Sequence, residues 1–343
     1  MPANLSREYK RAESDFRQAR DAKERLAHLR EMLRTIPKHK GTEHLQADIK
    51  SRIKQLTEEI ASPKKAAGRS GPSHVVRSAG AAQIALIGPP NSGKSALHAR
   101  LTGSHAEVGP YTFTTHEPLP GMLPYEDVHF QLIDLPPLSV EHSLPWIGNA
   151  LQPADGCLLI LDLSAPDCID HVQTIRSILS ERRVALTERW ELTEDEDEDP
   201  NDPDAIADPF AITLPTYLVA TKADIIADID KEIDVLQELA GTQFPATATS
   251  VTTGLGFERL GEWLFEALHV VRVYTKAPGR PHDKEKPFTV RRGETVYDVA
   301  VLVHKDIAES LKFARLWGSG QFSGQQVGRD HIVSDGDVLE LHA

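Results

Sequence analysis

The residues Gly88 to Ser95 read Gly-Pro-Pro-Asn-Ser-Gly-Lys-Ser, the pattern of a loop that wraps phosphate groups. The loop follows an apolar run, 83–87, that predicts a buried strand, and it precedes 96–101, which predicts a helix. In that context the backbone N–H groups and the helix N-terminus bind a diphosphate. Lys94 is predicted to reach the outer phosphates, and the Ser95 hydroxyl is predicted to ligate Mg²⁺.

A second segment has the composition of a guanine-recognition loop. Thr221-Lys222-Ala223-Asp224 follows the apolar run 214–220 and resembles the [NT]-K-x-D motif of GTPases. The Asp224 carboxylate can accept hydrogen bonds from the ring N–H and the exocyclic amine of guanine, whereas adenine offers no matching pair of donors. The tetrapeptide is weakly specific alone, but after a phosphate loop and at a strand end it favours a guanine nucleotide.

Three further segments resemble the remaining GTPase motifs and follow the order that GTPases have. Asp134, at the end of the apolar run 128–133, resembles the Asp that holds Mg²⁺ through water. The segment 111–115 resembles the switch segment that contributes a threonine, and Ser250-Val251 resembles the last guanine-contacting loop. Ligands of open parallel sheets bind beyond the carboxyl ends of the strands, so these motifs are expected to share one site.

The five motifs, together with the helix start Thr42-Glu43-His44-Leu45, resemble the Obg-like branch of translation-factor-class GTPases. The most similar members are the developmentally regulated GTP-binding proteins, and the resemblance covers most of the chain. It implies an α/β fold: a P-loop GTPase domain with an N-terminal helical hairpin and a C-terminal ubiquitin-like β-grasp domain of the TGS type. It also implies binding of GTP and GDP, GTP hydrolysis, association with the ribosome or RNA, and a protein partner for the TGS domain.

The resemblance further assigns residues to roles. The implied catalytic residues are Lys94, Thr115 and Asn91. The implied Mg²⁺ ligands are Ser95, Thr115 and Asp134. Thr115 is preferred to Thr114 because relatives that keep one threonine here keep the second. Asn91 often accompanies a K⁺ ion in this branch, and K⁺ is carried over as a hypothesis. The implied nucleotide-binding residues are Gly88, Pro89, Pro90, Asn91, Ser92, Gly93, Lys94, Ser95, Ala96, Asp134, Thr221, Lys222, Asp224, Ser250 and Val251.

Two departures from the family pattern bear on catalysis. Pro137 stands where most relatives have a glycine whose N–H bonds the γ-phosphate, and proline has no N–H. Leu138 stands where Ras-like proteins have a catalytic glutamine, and leucine cannot orient water. The sequence therefore predicts a slow GTPase, with a non-hydrolysing GTP-gated scaffold as the alternative. Asp224 disfavours an ATPase.

Charge and composition define the expected domains. The 343 residues carry a net charge of −13, but residues 1–78 hold 18 Lys and Arg against 10 Asp and Glu, a net charge of +8. Such a basic arm favours RNA about as much as it favours an ordinary solvated helix face. The predicted domains are a helical hairpin (1–62, with one long helix over 4–35), a linker (63–80), the GTP-binding domain (81–269, with an acidic loop at 188–208) and the TGS domain (270–343).

The sequence also predicts a location. Its apolar runs are all shorter than the ~20 residues of a membrane span, and its first residues are charged. A cytoplasmic protein without membrane contact is expected.

Overall fold

A computed structural model describes residues 6–19, 22–37, 42–61, 74–103, 117–141, 144–190, 210–277, 286–320 and 322–343. The described residues up to His74, together with 210–212, form one compact unit. The described residues from Val75 onward, without 210–212, form a second unit. Among the described residues, no helix has the length and apolarity that crossing a bilayer requires.

The first unit contains three helices: α1 (Arg7–Gln18), α2 (Ala22–Thr35) and α3 (Glu43–Ala61). The prediction of one helix over 4–35 is wrong, because α1 ends at Gln18 and α2 begins at Ala22. The helical hairpin over 1–62 stays a prediction. The backbone turns extended at Ala19 (φ −65°, ψ 124°), and Arg25 Nε donates to the Ala19 carbonyl at 2.7 Å. The break follows from the apolar spacing, which shifts between Ala19 and Leu26, since a straight helix would turn the two apolar stripes apart.

The core of this unit joins all three helices to a residue far along the chain. Its buried members on the helices are Tyr9, Ala12, Phe16, Leu29, Met32, Leu45 and Ile49, and Ile36 directly after α2 joins them. Phe210 completes the core, with its ring edge-on to Phe16 at a centroid distance of 6.0 Å and with the Arg52 guanidinium 4.0 Å from its centroid. Phe210 therefore belongs to the core of the first unit, although it is distant from the three helices in sequence.

The first sheet of the second unit has seven strands in the order β2-β3-β1-β4-β6-β5, and β7 also pairs with β6. They are β1 (Gln83–Ile87), β2 (Leu119–Tyr125), β3 (Val128–Asp134), β4 (Gly156–Asp162), β5 (Val184–Thr187), β6 (Ile212–Thr221) and β7 (Ala246–Ala248). The accompanying helices are α4 (Lys94–Thr102), α5 (Ile147–Leu151), α6 (Cys168–Ser180), α7 (Ile229–Ala240) and α8 (Phe257–Ala267). Strands β3, β1, β4, β6 and β7 are parallel and β2 is antiparallel, which confirms the predicted mostly parallel sheet.

Part of the predicted linker belongs to this sheet. Gln83 Nε2 donates to the Val76 carbonyl at 3.2 Å, and Gln131 Nε2 donates to the Arg77 carbonyl at 3.2 Å. The two glutamines also bond each other at 2.9 Å inside the protein. Residues 76–80 are thus held by buried side chains and are no linker. The predicted linker residues 63–73 lie outside the described residues.

The first residues of the predicted acidic loop, 188–208, pack against the protein, contrary to the prediction of an unpacked loop. Trp190 is buried, donates from Nε1 to the Thr216 carbonyl at 3.1 Å and meets Trp263 edge-on at 4.7 Å. Gly156 on β4 leaves the space, because a Cβ there would lie 2.5 Å from the Trp190 ring. Burial of the large apolar indole thus orders the start of the segment despite the acidic residues next to it in sequence. Residues 191–208 lie outside the described residues.

The second sheet of this unit has five strands in the order β11-β10-β12-β8-β9. They are β8 (Val270–Thr275), β9 (Phe288–Arg291), β10 (Phe313–Trp317), β11 (Gln325–Val327) and β12 (Asp337–His342), with helices α9 (Val296–Val303) and α10 (Lys305–Ser310). Thr295 begins α9 with the predicted capping box: its N–H and hydroxyl each lie 2.7 Å from Asp298 Oδ2. The predicted small β-grasp sheet is confirmed.

Charged residues join the two sheets at the end where β3 begins. Arg272 of β8 contacts Glu126 and Asp127 in the β2–β3 turn and also pairs with Asp335 at 2.6 Å. The Tyr274 hydroxyl donates to Asp127, and burial, together with this bond, raises the pKa of Tyr274 to about 12. The C-terminal sheet therefore docks at the opposite end of β3 from Asp134. The exact domain boundary at 269–270 stays a prediction.

Replacing Arg272 by Ala is expected to lower the free energy of unfolding of the second unit by about 2 kcal/mol, because three carboxylates lose their shared hydrogen-bond donor. Urea unfolding followed by tryptophan fluorescence measures the change. Lys312→Ala is the matched control, since Lys312 is an exposed basic residue of the same sheet. Equal unfolding free energies for the two variants would contradict this account of the junction.

Candidate functional site

The phosphate-loop sequence lies where predicted, between the buried strand β1 and helix α4. Asn91 (φ 60°) and Gly93 (φ 84°) both have left-handed backbone conformations that curl the loop. Gly88 must lack a side chain, since a Cβ there would lie 2.5 Å from the Ile160 carbonyl oxygen. The strand, the curled loop and the helix form the geometry that binds phosphate through backbone N–H groups, while the individual contacts stay a prediction.

Three polar side chains meet at the loop end of α4. Lys94 Nζ lies 2.5 Å from Asp134 Oδ1, and Ser95 Oγ donates to Asp134 Oδ2 at 2.6 Å. Lys94 and Asp134 are almost completely buried, at 5% and 0% exposure. Burial lowers the pKa of the Lys94 amine and the nearby carboxylate opposes that shift. The β1–β3 register brings them together, because Leu86 pairs with Asp134 directly before the loop.

The serine hydroxyl and the aspartate carboxylate suit a hard divalent cation, because Mg²⁺ prefers oxygen ligands. Ser95 and Asp134 would hold Mg²⁺ at this position, one directly and the other through water. The third predicted ligand, Thr115, lies outside the described residues, as does the whole segment 111–115.

The predicted guanine loops lie at the ends of β6 and β7. The Thr221 hydroxyl lies 2.6 Å from the Ser92 carbonyl oxygen, which ties the base loop to the phosphate loop. The Ser250 hydroxyl donates to Asp224 Oδ1 at 2.6 Å and thereby holds the carboxylate that is predicted to read guanine. Val251, next to Ser250, is exposed. The structure thus brings the phosphate and base segments together, and the ligand contacts of each residue stay predictions.

Asp162 is a member of the site that the sequence reasoning missed. It ends β4 and accepts from Lys222 Nζ at 2.6 Å, while the Ser164 backbone N–H donates at 3.0 Å and the Ser164 hydroxyl at 2.6 Å. Partial burial alone would raise the pKa of Asp162, but the hydrogen bonds from Lys222 and Ser164 together lower it. The sequence feature that could have identified Asp162 is a carboxylate at the end of an apolar strand. It holds Lys222, whose backbone is left-handed (φ 56°), beside the base loop.

Asp162→Asn is expected to speed the release of bound GDP about fivefold, because an exposed ion pair of this kind contributes up to about 1 kcal/mol. Displacement of a fluorescent GDP analogue measures the rate. The effect should vanish in a Lys222→Ala background, since the pair is already broken there. An undiminished effect in that background would show that Asp162 acts by another route.

The segment after Asp134 offers few hydrogen-bond donors to a ligand. Pro136 and Pro137 have no N–H. The Leu138 N–H donates to the Gly88 carbonyl at 3.0 Å, and the Leu138 side chain is buried. The segment is thus fastened to the phosphate loop by its backbone, and leucine at 138 presents no polar group for water.

A cavity of about 300 Å³ opens beside the phosphate and base loops. Its lining includes Pro90, Asn91, Asp162, Cys168 and Lys222, which come from the phosphate loop, β4, α6 and the base loop. Asn91 therefore faces open space, as a residue that contacts a ligand or ion must.

Comparison with protein families gives two matches. Residues 83–189 match the model described as 50S ribosome-binding GTPase, and residues 271–343 match the TGS domain. The first match spans the phosphate loop, Asp134 and β4, and the second begins one residue into β8.

Similar proteins extend over most of the chain. A GTP-binding protein of Methanocaldococcus jannaschii is 28% identical, with 93% of this chain and 92% of that protein covered. Developmentally-regulated GTP-binding protein 1 of Xenopus laevis is 26% identical, with 92% and 98% covered. Among solved structures, the YchF GTPase of Schizosaccharomyces pombe is 12% identical with a TM-score of 0.47, covering 78% of this chain and 99% of that one.

Proposed function

Since the chain joins a P-loop GTPase domain to a TGS domain and its homologues are developmentally regulated GTP-binding proteins, we propose that it hydrolyses GTP slowly to GDP and phosphate. The observation that carries the proposal is the cluster of Lys94, Ser95 and Asp134 at the loop end of α4, with Asp224 in the loop after β6 at the same edge of the sheet. Guanine nucleotides and Mg²⁺ belong to such a domain generally.

In this proposal the protein positions the nucleotide and neutralises charge, since phosphoryl transfer needs little covalent help. Lys94 turns from Asp134 to the outer phosphates, which gives its buried amine a strong anionic partner. Ser95, Thr115 and Asp134 would hold Mg²⁺, Asp134 through water, and the ion would supply positive charge beside the phosphates. Asp224 reads guanine, and Ser250 fixes the orientation of that carboxylate.

The segment after Asp134 supports the proposal that hydrolysis is slow. The Leu138 side chain is buried, and the Leu138 N–H donates to the Gly88 carbonyl, so this residue neither orients water nor bonds the γ-phosphate. Phosphoryl transfer is helped by positive charge next to the reacting phosphates. We propose that a K⁺ ion supplies part of that charge and is held with the help of Asn91, a loop residue that lines the cavity.

The K⁺ proposal predicts faster phosphate release in KCl than in NaCl at equal ionic strength. Asn91→Asp should abolish the difference between the two salts, since it changes the side chain proposed to help hold the ion. Asp228→Asn, at the exposed cap of α7, serves as the matched control and should keep the difference. Equal rates in both salts, or a K⁺ preference that survives in Asn91→Asp, would reject the K⁺ site.

We further propose that the protein associates with the ribosome or RNA through its helical unit. The matched family is described as ribosome-binding, and residues 1–78 carry a net charge of +8 on a chain of net charge −13. Lys50 and Lys54 are both exposed, four residues apart on α3, and suit contact with phosphates.

Co-sedimentation with ribosomes at 50 to 200 mM salt tests this association. Lys50→Glu with Lys54→Glu should weaken binding and lower the salt slope by about one unit per lysine, whereas Ala47→Gln on the exposed side of the same helix should not. Binding that ignores salt, or no binding at low salt, would contradict an electrostatic contact.

A second candidate is a GTP-gated scaffold that hydrolyses nothing and binds the ribosome, RNA or a protein partner of the TGS domain. Pro137 favours it, because proline lacks the N–H with which a glycine at this position bonds the γ-phosphate. Tight GTP binding without phosphate release would select the scaffold.

A further inference from the structure

His98 is a buried polar residue of α4. It lies on α4, four residues after Lys94 and therefore on the same side of the helix, and it is completely buried. Burying an imidazole costs free energy unless its nitrogen atoms are bonded, so an apolar residue would fill this position at lower cost. The position of the ring is specific, since Nε2 lies 3.4 Å from the carbonyl oxygen of Leu132.

The chemistry of this contact defines the state of the ring. A carbonyl oxygen only accepts, so Nε2 carries the hydrogen and donates it to Leu132. Burial lowers the pKa of the His98 imidazole, which favours the neutral form of the ring. The charged groups near it are Asp134, which opposes the shift, and Lys94, which adds to it.

The fold makes room for this ring on the neighbouring strand. Gly121 of β2 pairs with Leu132, and a Cβ on Gly121 would lie 2.7 Å from His98 Nε2 and 2.7 Å from the Thr102 methyl group. Glycine inside a strand weakens it, so the imidazole is accommodated at a cost to β2.

We propose that His98 is a positioning residue for the Mg²⁺ site: it fixes α4, which begins with the loop lysine and serine, against β3, which ends in Asp134. Leu132 is two residues before Asp134, so the side chains of both point to the same face of the sheet. His98 lies about one helical turn after Ser95, so its hydrogen bond to the Leu132 carbonyl sets the distance between Ser95 and Asp134. This inference rests on the proposed function, because it concerns how that Mg²⁺ is held.

The test is the Mg²⁺ concentration that gives half-maximal binding of a fluorescent GDP analogue. His98→Leu is expected to raise this midpoint about tenfold, as loss of a residue that supports metal ligands does. Its GDP affinity in EDTA should stay within about twofold of wild type. His98→Gln should restore the wild-type midpoint, because the glutamine amide nitrogen reaches the place of Nε2.

Two further variants separate positioning from simple packing. Leu101→Ala, another buried residue of α4, should lower the melting temperature without moving the Mg²⁺ midpoint. Gly121→Ala keeps the histidine in the sequence, but its added methyl group pushes the imidazole away from Leu132, so it should raise the Mg²⁺ midpoint. This variant tests the role of His98 if His98→Leu does not fold. A wild-type midpoint in folded His98→Leu and in folded Gly121→Ala would overturn this inference and leave the proposed function intact. GDP binding by wild type that ignores Mg²⁺ would overturn the proposed Mg²⁺ site, and this inference with it.

Discussion

Asp224→Asn is expected to weaken GTP binding at least about a hundredfold. The carboxylate accepts from two guanine donors, and each hydrogen bond to a charged group is worth about 1.5–3 kcal/mol. An asparagine amide keeps one acceptor and turns a donor toward the exocyclic amine of guanine, so one contact becomes repulsive. Competition between GTP and a fluorescent GDP analogue measures the loss.

The same substitution carries its own positive control. Xanthine has a carbonyl where guanine has its exocyclic amine, so the asparagine donor matches it, and Asp224→Asn should bind xanthosine triphosphate better than wild type does. Asp228→Asn, four residues further on, should change neither affinity. Unchanged GTP binding in Asp224→Asn would mean that Asp224 does not read the base.

Lys94→Ala is expected to reduce phosphate release from GTP to the level without protein, a loss of at least about a hundredfold. The buried amine pairs with Asp134 at the phosphate loop, and its removal takes away the positive side chain that is proposed to reach the outer phosphates. Single-turnover phosphate release with saturating GTP measures this effect separately from weaker binding.

This substitution also leaves the buried Asp134 carboxylate without its ion pair, which by itself destabilises a protein. Lys94→Met with Asp134→Asn removes both charges and keeps the volume, so it should restore the melting temperature without restoring phosphate release. If Lys94→Ala keeps half of the wild-type rate while folded, Lys94 has no catalytic role.

The parts of the fold that local patterns determine were predictable. The strands 83–87 and 128–134, the turn into α4 and the capping box at Thr295 each depend on residues close together in sequence. Parallel strands then bring the loops after β1, β3 and β6 to one edge, so the site could be assembled from motif order alone.

The parts that failed depend on contacts between distant residues. Gln83 and Gln131 fasten residues 76–80, although the composition of that segment indicates a linker. Trp190 is buried by Trp263 although acidic residues surround it in sequence. Periodicity and composition contain no information about such partners, which only the folded chain supplies.

The missed site residues share this cause. Asp162 and His98 act on Lys222 and Leu132, which lie 60 and 34 residues away in sequence. Neither belongs to a motif, and an aspartate after a strand or a histidine in a helix is common. Their roles follow from burial and distance.

Phosphate release from GTP by the purified protein tests the central claim most directly. It should be measured at matched ionic strength in KCl and in NaCl, with tight GTP binding confirmed and Lys94→Ala as the background. We expect turnover above that background, and faster turnover in KCl. Bound GTP with no release above the background in either salt would contradict a GTPase and would leave the nucleotide-gated scaffold.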